Sequence, residues 1–298
     1  MADGEAGSTG SLIERSPSRA AIQRYLERSV LENRMTIAVV FPAVGAVTLV
    51  ASAEGWLPEP LAFNPLLILF GTLVMRSPLL VGIAPRVGTR ALVLLSAVTC
   101  YTWAIELIGV RTDWPYGAFE YGVRLGPMLF ESIPLALPLF FVPLALNAYL
   151  LSLLVLGERA SSSAVRIPLA IGAVVAVDLV LDPAAVAVGF WHFEDGGFYY
   201  DVPVSNYLGW VLSATVAVVL VDLAFDRRRL IERVDECPFV LDDLVSFVVL
   251  WGLINTLYMN VIPALIAVGF GLALHSTGRY EIPIDDPRAG ASRWFDRR

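Results

Sequence analysis

Seven apolar runs, near residues 35–53, 65–84, 90–110, 132–156, 165–187, 205–225 and 241–275, dominate the chain. Most of them have the roughly 20 residues that a helix needs to cross a hydrocarbon core about 30 Å thick. The 298 residues are 57% hydrophobic and only 16% charged, with a mean hydropathy of +0.68. That is too apolar for a soluble domain. The expected fold is therefore all-α, a polytopic transmembrane helix bundle of seven to eight spans in the cell membrane.

The last run decides between the two counts. As one helix it would reach about 52 Å, so it is either steeply tilted or two short spans with a turn near Asn255–Asn260. All 21 basic residues are Arg. With eight spans all but Arg111 and Arg124 share one side, whereas seven spans move the five arginines of the C-terminal tail across. The positive-inside rule thus favours eight spans with both termini cytoplasmic. Residues 1–34 read as a cytoplasmic tail and an amphipathic interfacial helix, with Ala21, Ile22, Tyr25, Leu26 and Val30 on one face and Arg19, Arg24 and Arg28 opposed. Residues 35–276 read as a single transmembrane catalytic domain, and 277–298 as a cytoplasmic tail.

With 28 acids the net charge is −7, a bias associated with life in high salt. Nothing supports nucleic-acid binding, which needs a basic stripe; the first partner is membrane lipid. Cys100 and Cys237 build neither a disulfide framework nor a CxxC metal site.

Chemistry concentrates in Asp178–Trp210. Asp178 and Asp182 share a helix face, and Pro183 sits where it distorts or ends that helix. A carboxylate in hydrocarbon costs about 2.5 to 3.5 kcal/mol even on lenient scales, so such acids face a protein interior or a wet cavity. After them come Phe190, Trp191, Phe193, Phe198, Tyr199 and Tyr200, three acids, and the pair Gly196–Gly197. A second stretch mirrors the first. Glu106 is followed by a Gly-rich loop carrying Trp114, Tyr116, Phe119 and Tyr121. Glu106 and Asp182 each lie about 24 Å along their helices from the arginine-bearing side, so the two share a depth. The two stretches read as two halves of one pocket. The bland alternatives are a structural lock, each acid pairing with an arginine such as Arg111 or Arg124, and an ordinary interfacial belt of aromatic rings.

Several chemistries are excluded. His192 and His275 are too few for a His-rich di-iron site, no GxGxxG follows a strand, and no Asp-rich diphosphate motif is present. His192 reads as an interfacial hydrogen-bonding residue. Asp222, close to Arg227, Arg228 and Arg229, reads as a solvated ion pair.

Glu106, Gly109, Pro115, Gly117, Tyr121, Leu125, Gly126 and Pro127, together with Asp178, Asp182, Pro183, Trp191, Gly197, Tyr200, Pro203, Asn206, Gly209 and Trp210, resemble the carotenoid hydratases of the carotenoid-biosynthesis membrane protein family. As a set the pattern is specific; this chain departs from it in having Asp113 where Gly is commoner and Tyr116 where Phe is commoner. The resemblance implies a hydro-lyase that adds water, without a cofactor, to the terminal carbon–carbon double bonds of a C50 carotenoid. It implies as partners the carotenoid substrate and other carotenoid-biosynthesis membrane enzymes. Such a reaction needs a carboxylic acid that carries a proton, π faces for the tertiary cation, and a base for water. Glu106, Asp178 and Asp182 are the catalytic candidates, and Tyr116, Tyr121, Trp191, Tyr200, Asp201, Asn206 and Trp210 the substrate-binding ones.

Two other readings use the same residues. A proton-coupled secondary transporter would relay protons through the acids, but it needs a polar path to the cytoplasmic face, and the inner halves of the spans offer little besides Thr48, Ser96 and Thr99. A non-catalytic carotenoid-binding protein would need the rings but not the acids. For the topology, a thiol probe applied outside intact cells is expected to label a cysteine placed at Gly196 and to miss one at Ser292; the reverse pattern restores seven spans.

Overall fold

The computed structural model describes residues 18–278, so both tails, including Ser292 and the C-terminal arginines, lie outside the described residues. Among the described residues six helices are long and apolar enough to cross a membrane: Thr36–Ala53, Pro65–Arg86, Thr89–Thr112, Leu137–Ser161, Ser163–Ala187 and Val204–Ala224. The regular α-helical elements are α1 (Arg19–Glu32), α2 (Phe41–Ala53, entered through a π-helical turn at Thr36–Val40), α3 (Pro65–Ile83), α4 (Thr89–Thr112), α5 (Leu137–Leu156), α6 (Ser163–Ala187), α7 (Val204–Ala224), α8 (Arg227–Glu236), α9 (Asp242–Leu257) and α10 (Val261–Ser276).

The long apolar run at 241–275 is divided, since α9 ends at Leu257 and α10 starts at Val261. At the turn, Asn260 donates to the carbonyl of Pro183 (3.3 Å) and Asn255 to that of Val180 (2.8 Å), so α9 ends level with the end of α6. α5 is the most apolar of the long helices and is the central one, with every residue from Pro143 to Leu154 buried and its few polar side chains, Asn147, Tyr149 and Ser152, hydrogen-bonded. In α1 it is Glu27, Val30 and Leu31 that are buried, while Ile22, Tyr25 and Leu26 stay exposed.

Buried ion pairs lock the arginine-rich end. Arg34 grips Asp242 with two hydrogen bonds of 2.7 and 2.8 Å. The next residue, Asp243, takes Arg76 at 2.5 Å and Asn147 at 2.7 Å. Arg233 joins Glu27 (2.6 Å) and the carbonyl of Gly82 (2.6 Å), tying α8 to α1 and α3. Asp222 receives Arg166 at 2.5 and 2.9 Å and the hydroxyl of Tyr149 at 2.5 Å. This corrects two expectations. Asp222 is not a solvated partner of Arg227–Arg229; it is drawn inward because Arg166 and Tyr149 complete its hydrogen bonds. The inner halves of the spans are also not poor in polar groups, because Arg76, Asn147, Asp242 and Asp243 are all buried there.

Pro183 does not end α6, which continues to Ala187. Proline removes the N–H that would have bonded the carbonyl of Leu179; the hydroxyl of Tyr199 takes that carbonyl at 3.3 Å instead. The loops at this end contain short strands that a helical pattern cannot reveal. β1 (Phe119–Tyr121) pairs antiparallel with β4 (Trp191–Phe193), and β2 (Met128–Leu129) with β3 (Ile133–Pro134). The first pairing joins the two Gly-rich loops across residue pairs Phe119–Phe193, Glu120–His192 and Tyr121–Trp191.

Removing one partner of a buried pair leaves an uncompensated charge and typically costs 3 to 5 kcal/mol, roughly, whereas replacing both by apolar residues is far milder. Asp243→Asn is therefore expected to lower the thermal midpoint of the purified protein sharply, and the pair Arg76→Met with Asp243→Leu to recover most of that loss.

Candidate active site

Three helices bring the acids together at the loop end of the bundle. Glu106 comes from α4, Asp178 and Asp182 from α6, and Asn206 with Trp210 from α7. A small cavity of about 90 Å³ is lined by Glu106, Tyr116, Phe119, Leu137, Asp182, Trp191, Phe193, Asn206 and Trp210. Asp178 lies behind this lining, one helical turn from Asp182, and both aspartates are almost fully buried.

One amide connects the two aspartates. Asn206 Nδ2 donates to Asp182 Oδ2 and, at 3.3 Å, to Asp178 Oδ2. The second oxygen of Asp178 is buried without a hydrogen-bond partner, as is the hydroxyl of Tyr207. Glu106 accepts a hydrogen bond from the hydroxyl of Tyr121. Burial, followed by the nearby Glu106, holds the Tyr121 phenol well above its usual range, so it remains a donor. Among the described residues no arginine bridges Glu106, Asp178 or Asp182; the ion pairs there join other acids. The lock through Arg111 or Arg124 is therefore not what the acids do. Nor, among the described residues, is any group of three or more His, Cys, Asp or Glu arranged to hold a metal ion.

Tyr116 is the keystone of the pocket wall, and two glycines make room for it. A Cβ at Gly209 would stand 2.5 Å from its ring and 3.0 Å from the carbonyl of Pro115, and one at Gly109 would stand 3.0 Å from the ring's other edge. Held between α4 and α7, its hydroxyl reaches Ser213 Oγ at 2.7 Å, and Tyr101 meets the same Ser213 at 3.1 Å. Gly117 (φ +94°) turns the loop where a side chain would strike Ser205, whose hydroxyl donates to the carbonyl of Tyr116 at 3.2 Å.

The structure brings together eight of the ten candidates: Glu106, Asp178, Asp182, Tyr116, Tyr121, Trp191, Asn206 and Trp210. Tyr200 and Asp201 stand apart. The hydroxyl of Tyr200 accepts from the backbone N–H of Ile262 at the start of α10 (3.1 Å), and Asp201 is exposed; both have positive φ, at 51° and 63°, and form a turn instead of a pocket wall. Phe119 and Phe193, named among the loop rings but not among the binding candidates, line the cavity, as does Leu137. Strand alternation puts Phe119 and Tyr121 on the same side of β1. Phe141 stacks on Trp210 at a centroid distance of 5.5 Å and fixes that ring from behind. His192 is exposed, 3.7 Å from Glu120 on the facing strand.

Fold and site together define a polytopic helical membrane protein with a cation-free acid cluster in an aromatic pocket. Residues 63–274 match the carotenoid biosynthesis protein family, and the chain belongs to that family. It is 58% identical over 268 residues to the bisanhydrobacterioruberin hydratase of Haloarcula japonica, an alignment that covers 90% of this chain and 91% of that protein. No solved structure matches the chain.

Overpacking a tight contact costs about 1 to 3 kcal/mol, and loss of one hydrogen bond about 1 kcal/mol. Gly209→Ala is thus expected to lower the thermal midpoint more than Tyr116→Phe, which keeps the ring and loses only the bond to Ser213. Equal midpoints for the two variants would show that the contact with Gly209 does not hold the ring.

Proposed function

We propose that this protein is a carotenoid hydratase that adds water to the terminal double bonds of a C50 carotenoid, converting bisanhydrobacterioruberin to bacterioruberin. The observation that carries the reading is the set of three carboxyl groups without a cationic partner, in an aromatic pocket, in a chain so similar to a hydratase. In this mechanism one of the two acids facing the cavity, Glu106 or Asp182, delivers its proton to the less substituted alkene carbon. The π electrons form the new C–H bond and leave a tertiary cation. Trp191, Trp210, Phe119 and Phe193 offer ring faces to that cation. Water adds to it, and the other facing acid takes the proton that water sheds, so the pair ends with the proton count it began with. Asn206 orients Asp182, and Tyr121 orients Glu106. Asp178, behind Asn206, acts through its neighbour and is a positioning residue. The reaction is a hydro-lyase step run without a cofactor.

The same reading completes the topology. α9 and α10 are the seventh and eighth spans, both termini are cytoplasmic, and the exposed face of α1 lies in the membrane interface. The protein sits in the cell membrane beside other enzymes of carotenoid synthesis. The proton-coupled transporter is disfavoured because the buried acids of the arginine-rich end are each held by an arginine.

General acid–base help is worth typically 10² to 10⁴ in rate. Glu106→Gln and Asp182→Asn are expected to fold, bind carotenoid and lose roughly that factor, with a smaller loss for Asp178→Asn. In ¹⁸O-labelled water without air, the unmodified protein is expected to place one label in each new hydroxyl. Label drawn from molecular oxygen, or full activity in all three amide variants, overturns the mechanism.

A further inference from the structure

A second, larger cavity lies on the other side of the pocket wall. It is an apolar groove of about 420 Å³ between α2, α3 and α9, lined among others by Thr48, Phe63, Gly71, Arg76, Phe190 and Trp251. No residue lines both cavities, yet three short segments face both. Leu181 and Asp182, Phe190 and Trp191, and Phe140 and Leu137 each place the first residue on the groove and the second on the acid pocket. A continuous series of rings joins them. Phe190 touches Phe63 at 6.0 Å and Trp251 at 6.2 Å in the groove, and Trp191 of the acid pocket at 6.3 Å.

The acid pocket, at about 90 Å³, has room for the end of an isoprenoid chain and no more. A long substrate whose end lies there has to continue elsewhere. We infer that the groove between α2, α3 and α9 is the binding site for the polyene chain of the substrate, which passes over the edge of Phe190 with its reacting end among the acids. The inference rests on the hydratase reading for the identity of the chain. The groove's walls are apolar and ring-rich, as a rigid conjugated chain requires. Arg76, which lines the groove, is only 6% exposed and is held by Asp243.

Gly71 is the place to test this, because a Cβ there meets only Phe41 at 3.9 Å, an ordinary contact. The full-length protein in detergent is titrated with bisanhydrobacterioruberin and binding is read from the visible absorption of the polyene. Gly71→Leu combined with Thr48→Trp fills the groove and is expected to weaken binding at least tenfold, while Leu92→Trp, on the exposed face of α4, leaves it unchanged. A second measurement needs no bulky residue. In a Cys100→Ser background, the carotenoid is expected to slow thiol labelling of Thr48→Cys several-fold. Undiminished binding by the filled variant, undiminished labelling of Thr48→Cys, or a phospholipid acyl chain that stays in the groove while the carotenoid is bound overturns the inference. Failure of the hydratase reading looks different: the carotenoid then binds and protects Thr48→Cys but gains no water.

Discussion

Two adjacent carboxylates at the head of α9 carry much of this architecture. Asp242 and Asp243 are both fully buried and point to different partners, one to Arg34 before the second helix and the other to Arg76 within the third. Their ion pairs work because each carboxylate has further hydrogen bonds or a bidentate partner, the condition under which a charge survives burial. With Arg233–Glu27 and Arg166–Asp222 at the same end, α1, α3, α6, α7, α8 and α9 are all tied there by charge. α5 joins this network through Asn147 and Tyr149, and the rest of its buried surface packs by shape.

The opposite end is built on a different rule. Its acids have amide and phenol partners in place of guanidinium groups, and its loops are tied by a three-residue strand pairing and by glycines that admit the Tyr116 ring. The protein thus separates its carboxylates by location, with those paired to arginines at one end and those held by Asn206 and Tyr121 at the other.

Much of this was legible in the amino-acid sequence because hydrocarbon is an unforgiving solvent. An acid in an apolar run is conspicuous, so Glu106, Asp178 and Asp182 could be singled out, and counting residues along helices put Glu106 and Asp182 at one depth with Asp178 one turn deeper. What escaped was whatever depended on a distant partner. Asp222 stands beside three arginines in sequence and pairs with a fourth from another helix. Tyr200 and Asp201 carry the right chemistry for a pocket, but a turn with positive φ sends the Tyr200 hydroxyl to the start of α10 and leaves Asp201 exposed. Phe119 and Phe193 were visible as rings of the two loops, but which of those rings reach the cavity is set by a strand pairing too short to leave a periodic trace. The proline after Asp182 was read as distorting or ending the helix, but the helix runs on to Ala187 and the Tyr199 hydroxyl takes the carbonyl the proline frees.

The pairing of Arg76 with Asp243 also bears on how such a chain is made. The two residues are 167 positions apart. While the chain is synthesised from its N-terminus, α3 reaches the bilayer with its arginine uncompensated and must wait through four further spanning helices before α9 brings the counter-charge. A lone arginine at helix mid-depth costs about 2.5 to 3.5 kcal/mol on insertion scales. Until translation is almost complete, then, the third helix is held at the membrane by its hydrophobic flanks alone, and the last helices to emerge are the ones that seat it.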